Sequence, residues 1–178
     1  DYTAMWVVGL GTDGNIYVLD IVRDRLSLTE RAATLMKLHR DWRPYEVRYE
    51  KYGLQADVAH IKTLQEQENY RFDIREIGGQ VKKSDRIGRL IPVFEKKEIY
   101  LPQSLHKTNY EKVVQNLVTV FIEEEYAPYP VGLHRDMLDA LARIVEPDYP
   151  LVWPKEQKTV LDPPRVFHRQ SSQTAWMA

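Results

Sequence analysis

Cysteine is absent from the 178 residues. That absence excludes disulfide scaffolds, zinc ribbons, Cys-ligated clusters and thiol nucleophiles, and it leaves carboxylates, histidines and hydroxyls as the material for any catalytic or metal site. A surplus of charge is missing too: 25 Lys plus Arg stand against 26 Asp plus Glu, for a net charge of −1. Binding to nucleic acid through bulk positive charge is therefore excluded, and any such site must be a local patch. No apolar run approaches the roughly 18 residues that span a bilayer, and the mean hydropathy is −0.49. The opening residues carry no basic, apolar and small-residue signal pattern, so a soluble intracellular protein is expected. What is present is 43% hydrophobic residues in a length that suits one domain.

The opening reads as a β-hairpin. Ala4–Leu10 and Ile16–Val22 are apolar and rich in β-branched or aromatic residues, and Asp13-Gly14 between them tolerates positive φ in a tight turn. The second strand is apolar on both faces, as in a central strand covered on each side. Ser27-Leu28-Thr29-Glu30 is a capping box for a helix through Ala32, Leu35, Met36 and His39. An alternating strand at Tyr45–Glu50 and a helix through Leu54, Val58 and Ile61 follow, giving the strand–helix alternation of an α/β layer. Further on, the patterns predict a strand at Arg71–Ile77, a helix capped by Ser84 and interrupted by Pro92, and an edge strand at Glu98–Leu101. A second capping box, Thr108-Asn109-Tyr110-Glu111, predicts a helix through Val113, Leu117 and Phe121, and a last helix runs from His134 to Ile144. We divide the chain into a domain at 1–148 and a Pro-rich arm at 149–178, extended or partly disordered.

The carboxylates offer chemistry. Glu50 closes a predicted strand, while Asp136 and Asp139 open a predicted helix three residues apart and so share one side of it. Strand ends and helix starts can meet at one edge of an α/β sheet, where such a set makes a hard oxygen site for Mg²⁺ or Mn²⁺. On residues alone the case for a metal is weak, since an Asp near a helix start more often serves as a macrodipole or capping partner.

Several motifs in fixed order resemble the nuclease domain of tailed-phage large terminase subunits. They are Asp1-Tyr2-Thr3-Ala4 before an apolar strand, Asp13–Asp20 with Arg23-Asp24-Arg25, Tyr49-Glu50-Lys51-Tyr52-Gly53, Lys83-Ser84-Asp85-Arg86-Ile87 through Leu101-Pro102, and His134–Leu141. The resemblance implies a ribonuclease H-like α/β fold, a mixed sheet flanked by helices with an acidic metal site at one edge. It implies a two-metal endonuclease using Mg²⁺ or Mn²⁺ to cut concatemeric double-stranded DNA during genome packaging in the host cytoplasm. The partners implied are DNA, a terminase ATPase domain, the small terminase subunit and the portal protein, with no membrane. Glu50 matches the family's second catalytic acid and Asp136 the third, with Asp139 as the alternative and His134 as a neighbouring ligand or orienting group. The family's first catalytic Asp lies on a strand before the Asp-Tyr-Thr-Ala motif, so the resemblance implies that this chain lacks that strand and that Asp1 is an auxiliary carboxylate. No Gly-rich phosphate loop of an ATPase occurs in the sequence.

Lys82, Lys83, Arg86 and Arg89 form a local basic group that either solvates a helix start or contacts DNA phosphates. His39 falls on an apolar helix face and reads as a core residue. Two other functions remain open: a non-catalytic DNA-binding or docking module of a packaging motor, and a resolvase- or transposase-type nuclease of the same superfamily.

Overall fold

The computed structural model describes residues 2–50 and 55–156. Its first hairpin turns where Gly14 adopts φ 80°, and Asp13 holds the turn by accepting from the Asn15 backbone N–H at 3.1 Å and the Tyr17 hydroxyl at 2.5 Å. Strands β1 (Thr3–Leu10) and β2 (Ile16–Asp24) then pair antiparallel, with a register shift between Val7 and Val8. Strand β5 (Ile99–Tyr100) adds in parallel to the other edge of β2, where Tyr17 and Tyr100 stack 5.2 Å apart. The sheet is mixed, ordered β1-β2-β5, and β2 is central as its two apolar faces predict.

The Ser27 capping box forms as expected and opens α1 (Leu28–Trp42), which ends where Arg43 turns left-handed at φ 44°. Strands β3 (Arg48–Glu50) and β4 (Arg75–Ile77) pair in parallel as a separate two-stranded sheet, and α2 (Gln55–Gln67) packs on α1. Ala32, Leu35, Met36, Val47, Tyr49, Val58 and Ile61 bury one core between these elements. His39 stacks on Phe72 at 3.8 Å, the packed role its position predicts. The strand expected from Arg71 begins only at Arg75, because Phe72 is turned into this aromatic contact.

A second core gathers under β1 and β2. It joins Val18 and Ile21 to Ile87 and Leu90 near α3 (Lys83–Gly88), and to Leu117, Phe121, Met137 and Leu141. Lys82, not Ser84, occupies the start of α3, and Ser84 instead bonds the neighbouring Asp85 side chain. Pro92 lies in the first turn of the short helix α4 (Ile91–Glu95), where a missing N–H breaks no helical bond. The helix expected from Thr108 is corrected: this segment is a hairpin of β6 (His106–Thr108) and β7 (Val114–Asn116). Asn109 accepts from the N–H groups of Glu111 and Val113 at 3.0 and 2.9 Å, which closes a loop in place of a helical turn. The helix starts later, as α5 (Leu117–Val120) capped by Asn116, and widens into a π-helical turn over Phe121–Tyr126.

Helix α6 (Asp136–Ala142) lies against β1, where the Trp6 indole N–H donates to the Met137 carbonyl at 2.9 Å. The chain class is thus mixed α/β, a mixed sheet flanked by helices. Residues 149–156 have no regular secondary structure; the rest of the Pro-rich arm, with Trp176 and His168, lies outside the described residues.

Candidate functional site

Helix α6 places its two acids in its first turn, where the backbone N–H groups favour negative charge. Its start is fixed by a residue that sequence reasoning passed over. Glu125 is wholly buried, and its Oε2 accepts from the Met137 and Leu138 N–H groups at 2.8 and 3.1 Å. Burial pushes the Glu125 carboxyl up, against the pull of those N–H groups and of Arg23. The Arg23 Nε lies 3.7 Å from Glu125 Oε1, and its Nη2 bonds Glu124 at 2.7 Å. The signal was a Glu four residues after Phe121, in line with the buried stripe Leu117, Val118 and Phe121.

Each acid of α6 meets a cation from α3. Lys83 Nζ is 2.8 Å from Asp136 Oδ1 and 4.0 Å from Asp139 Oδ2. Arg86 grips Asp139 with two bonds, Nε to Oδ1 at 2.6 Å and Nη2 to Oδ2 at 2.8 Å. Burial works to raise the Asp136 carboxyl, but the bond and charge of Lys83, with the Tyr2 N–H, outweigh it and hold it below the usual range. The third acid, Glu50 at the end of β3, is bound by Arg143 Nη2 at 2.6 Å. Arg143 also bonds Glu146 at 2.6 Å, and Glu146 takes Arg89 at 2.7 Å. Arg143 stands four residues after Asp139, one helical turn along the same side, which is the spacing that marks it.

Glu50, Asp136 and Asp139 line a single groove, together with Lys83 and Arg143. The end of β3 and the start of α6 thus both border this groove. His134 is exposed and sits edge-on to the Tyr2 ring, 5.4 Å between centroids. Asp1 lies outside the described residues. Among the described residues no group of three or more His, Asp or Glu is disposed to hold a metal ion, because the acids are drawn to Lys83, Arg86 and Arg143. The basic residues Lys82, Lys83, Arg86 and Arg89 do not form one open patch. Lys82 is exposed and Lys83 half-buried, but Arg86 is buried against Asp139 and Arg89 turns to Glu146.

Beneath β3 lies another fixed carboxylate. Asp57 accepts from Tyr49 Oη at 2.7 Å and from Arg31 at 2.6 and 2.8 Å, so the strand bearing Glu50 is anchored from below. Beside β1, Arg23 stacks over the Tyr2 ring at 4.0 Å, and Arg25 lies near both Tyr2 and Tyr110.

No family model matches the chain, and no curated protein matches it. Among solved structures it is similar to the large terminase nuclease from thermophilic phage G20c with bound cobalt, at 14% identity and a TM-score of 0.42, over 80% of this chain and 79% of that one.

Proposed function

We propose that this chain is a divalent-metal-dependent DNA endonuclease domain of the large-terminase type. The observation that carries the reading is that Glu50 and Asp136, the acids matched by the terminase-like motifs, line one groove together with Asp139, the alternative to Asp136. The donor set is anionic oxygen, the kind that Mg²⁺ and Mn²⁺ take, and the space beside Asp136 and Asp139 accepts a cation: the Lys83 ammonium lies there. Asp136 and Asp139 would hold the metal, with Glu50 joining from β3 once Arg143 releases it. A bound metal of this kind supplies an activated water and offsets charge on the scissile phosphate. The chain's own part is positional. Glu125 fixes the first turn of α6, and the Asp57 network fixes β3. The substrate proposed is concatemeric double-stranded DNA in the host cytoplasm, with a packaging ATPase domain, small subunit and portal as partners.

One observation favours a second reading, a non-catalytic module of the same motor: all three acids are neutralised by Lys83, Arg86 and Arg143. Calorimetric titration with Mn²⁺ separates the two. The nuclease reading expects saturable binding that is lost in Asp136→Asn; absence of binding, or binding unchanged in that variant, favours the inert module.

A further inference from the structure

Arg143 follows directly on α6 and is buried, at 8% exposure, yet it lines the groove beside Glu50. Its guanidinium is held on one side and half-used on the other. Nη1 donates to Glu146 Oε1 at 2.6 Å, and Glu146 Oε2 in turn accepts from Arg89 at 2.7 Å. The Arg143 carbonyl accepts from Arg48 Nη1 at 3.0 Å, so main chain and side chain are both fixed. On the other side Nη2 donates to Glu50 Oε1 at 2.6 Å, but Nε, shut off from solvent, has no hydrogen-bond partner among the described residues.

An arginine offers Nε–H and Nη2–H as a parallel pair that matches two oxygens of a carboxylate or a phosphate. Elsewhere in the molecule that edge is filled. Arg31 uses both atoms on Asp57, at 2.6 and 2.8 Å, and Arg86 uses both on Asp139 at the same distances. Arg23 Nε also lacks a hydrogen bond, but the Glu125 carboxylate faces it at 3.7 Å. Arg143 instead meets one oxygen of Glu50 with an edge shaped for two. Glu50 is the more open partner, its side chain 40% exposed against 10% for Arg143. An unpaired buried N–H is costly, and a ligand that brings a second oxygen recovers that loss.

We infer that the Nε–Nη2 edge of Arg143 is an oxyanion site, which takes two oxygens of a phosphate group in exchange for the Glu50 carboxylate. That the phosphate is a DNA phosphodiester rests on the nuclease reading, in which Glu50 turns from Arg143 toward Asp136 and Asp139. Charge favours the exchange. With Glu50 withdrawn, Arg89 and Arg143 are set against Glu146, which leaves one positive charge, while Arg86 is already matched by Asp139. A singly charged phosphodiester replaces what the carboxylate removes. Glu146, Arg89 and Arg48 keep the guanidinium in place throughout, so the site is pre-organised. Lysine would not serve, because an ammonium keeps the charge but lacks the two-donor edge.

The test is metal-free and uses the full chain. In Glu50→Ala the competing carboxylate is gone, so inorganic phosphate is expected to bind at least about tenfold more tightly than to the natural chain. It should also shift the Arg143 Nε–H signal in heteronuclear NMR, a signal identified by its loss in Arg143→Lys. Adding Arg143→Lys to Glu50→Ala should reverse the gain in affinity. A short DNA duplex, offered to Glu50→Ala in place of inorganic phosphate, should shift the same signal, which separates a phosphodiester from a free phosphate. An unmoved Nε–H signal, or equal phosphate affinity with and without Arg143→Lys, overturns the oxyanion site. A response to inorganic phosphate without one to the duplex overturns its assignment to DNA. None of these readouts needs metal or cleavage, so the site can fail while Mn²⁺-dependent nicking stands, and the converse result is equally distinguishable.

Discussion

At the scale of single residues, the carboxylates differ in what holds them, and their titrations carry opposite signs. Asp136 and Asp57 are held below the usual carboxylate range despite burial, by Lys83 in one case and by Arg31 and Tyr49 in the other. A folded pKa below the unfolded one means that their contribution is complete above about pH 4 and is lost as pH falls through the folded values. Acid titration of stability should therefore show a loss below about pH 4 that shrinks in Asp57→Asn, which also forfeits the contribution above it. Glu125 runs the other way. Its raised carboxyl binds protons more readily in the folded state, so stability falls as pH rises from about 4.5 toward the raised value. Glu125→Gln keeps an acceptor for the Met137 and Leu138 N–H groups, and its stability relative to the natural chain should increase with pH across that window; a constant difference contradicts the assignment. The Arg86–Asp139 pair is bidentate and nearly enclosed, so Arg86→Met should cost about 3–5 kcal/mol in denaturant unfolding by stranding a charge. Asp139→Leu added to it should recover most of that loss.

At the scale of elements, the hairpins test how turn chemistry governs chain path. Gly14 has open space around its Cα and φ 80°, so Gly14→Ala should cost about 1 kcal/mol through the backbone alone. Asn109→Ala removes the acceptor for two N–H groups and should speed amide exchange in β6 and β7 while leaving the cores protected, as hydrogen exchange would report. These two turns also mark what was legible. The Asp-Gly turn and the Ser27 capping box were readable because the residues that make them are adjacent and the bonds are local. Thr108–Glu111 presents the same letters as a capping box, yet Asn109 spends its side chain on the following loop and the helix waits until Asn116. Glu50, Asp136 and Asp139 were legible as strand-end and helix-start acids, and all three border the groove. Their ion pairing was not, because Lys83 and Arg86 reach Asp136 and Asp139, and Arg143 reaches Glu50, across tertiary contacts; the spacing of Arg143 from Asp139 marks its side of the helix but not its partner. Glu125 was hidden for a related reason: in the sequence it is the last of three glutamates, and only packing turns it inward.

At the scale of the whole molecule, two apolar cores flank one groove, and the acids sit where that groove meets β3 and α6. No helix among the described residues is long and apolar enough to cross a membrane. The near-zero net charge conceals a division of labour, since cations from α3 and the end of α6 are spent on the acids of the groove. Divalent metal and DNA binding would have to compete with those pairs. Lys83→Ala should accordingly tighten Mn²⁺ binding severalfold, while Asp136→Asn abolishes it. The central claim is tested most directly by supercoiled-plasmid cleavage with Mn²⁺, comparing the chain with Glu50→Gln and Asp136→Asn. The account predicts nicking that EDTA stops and that either substitution lowers by about 100-fold or more; cleavage that persists unchanged in both variants would contradict it.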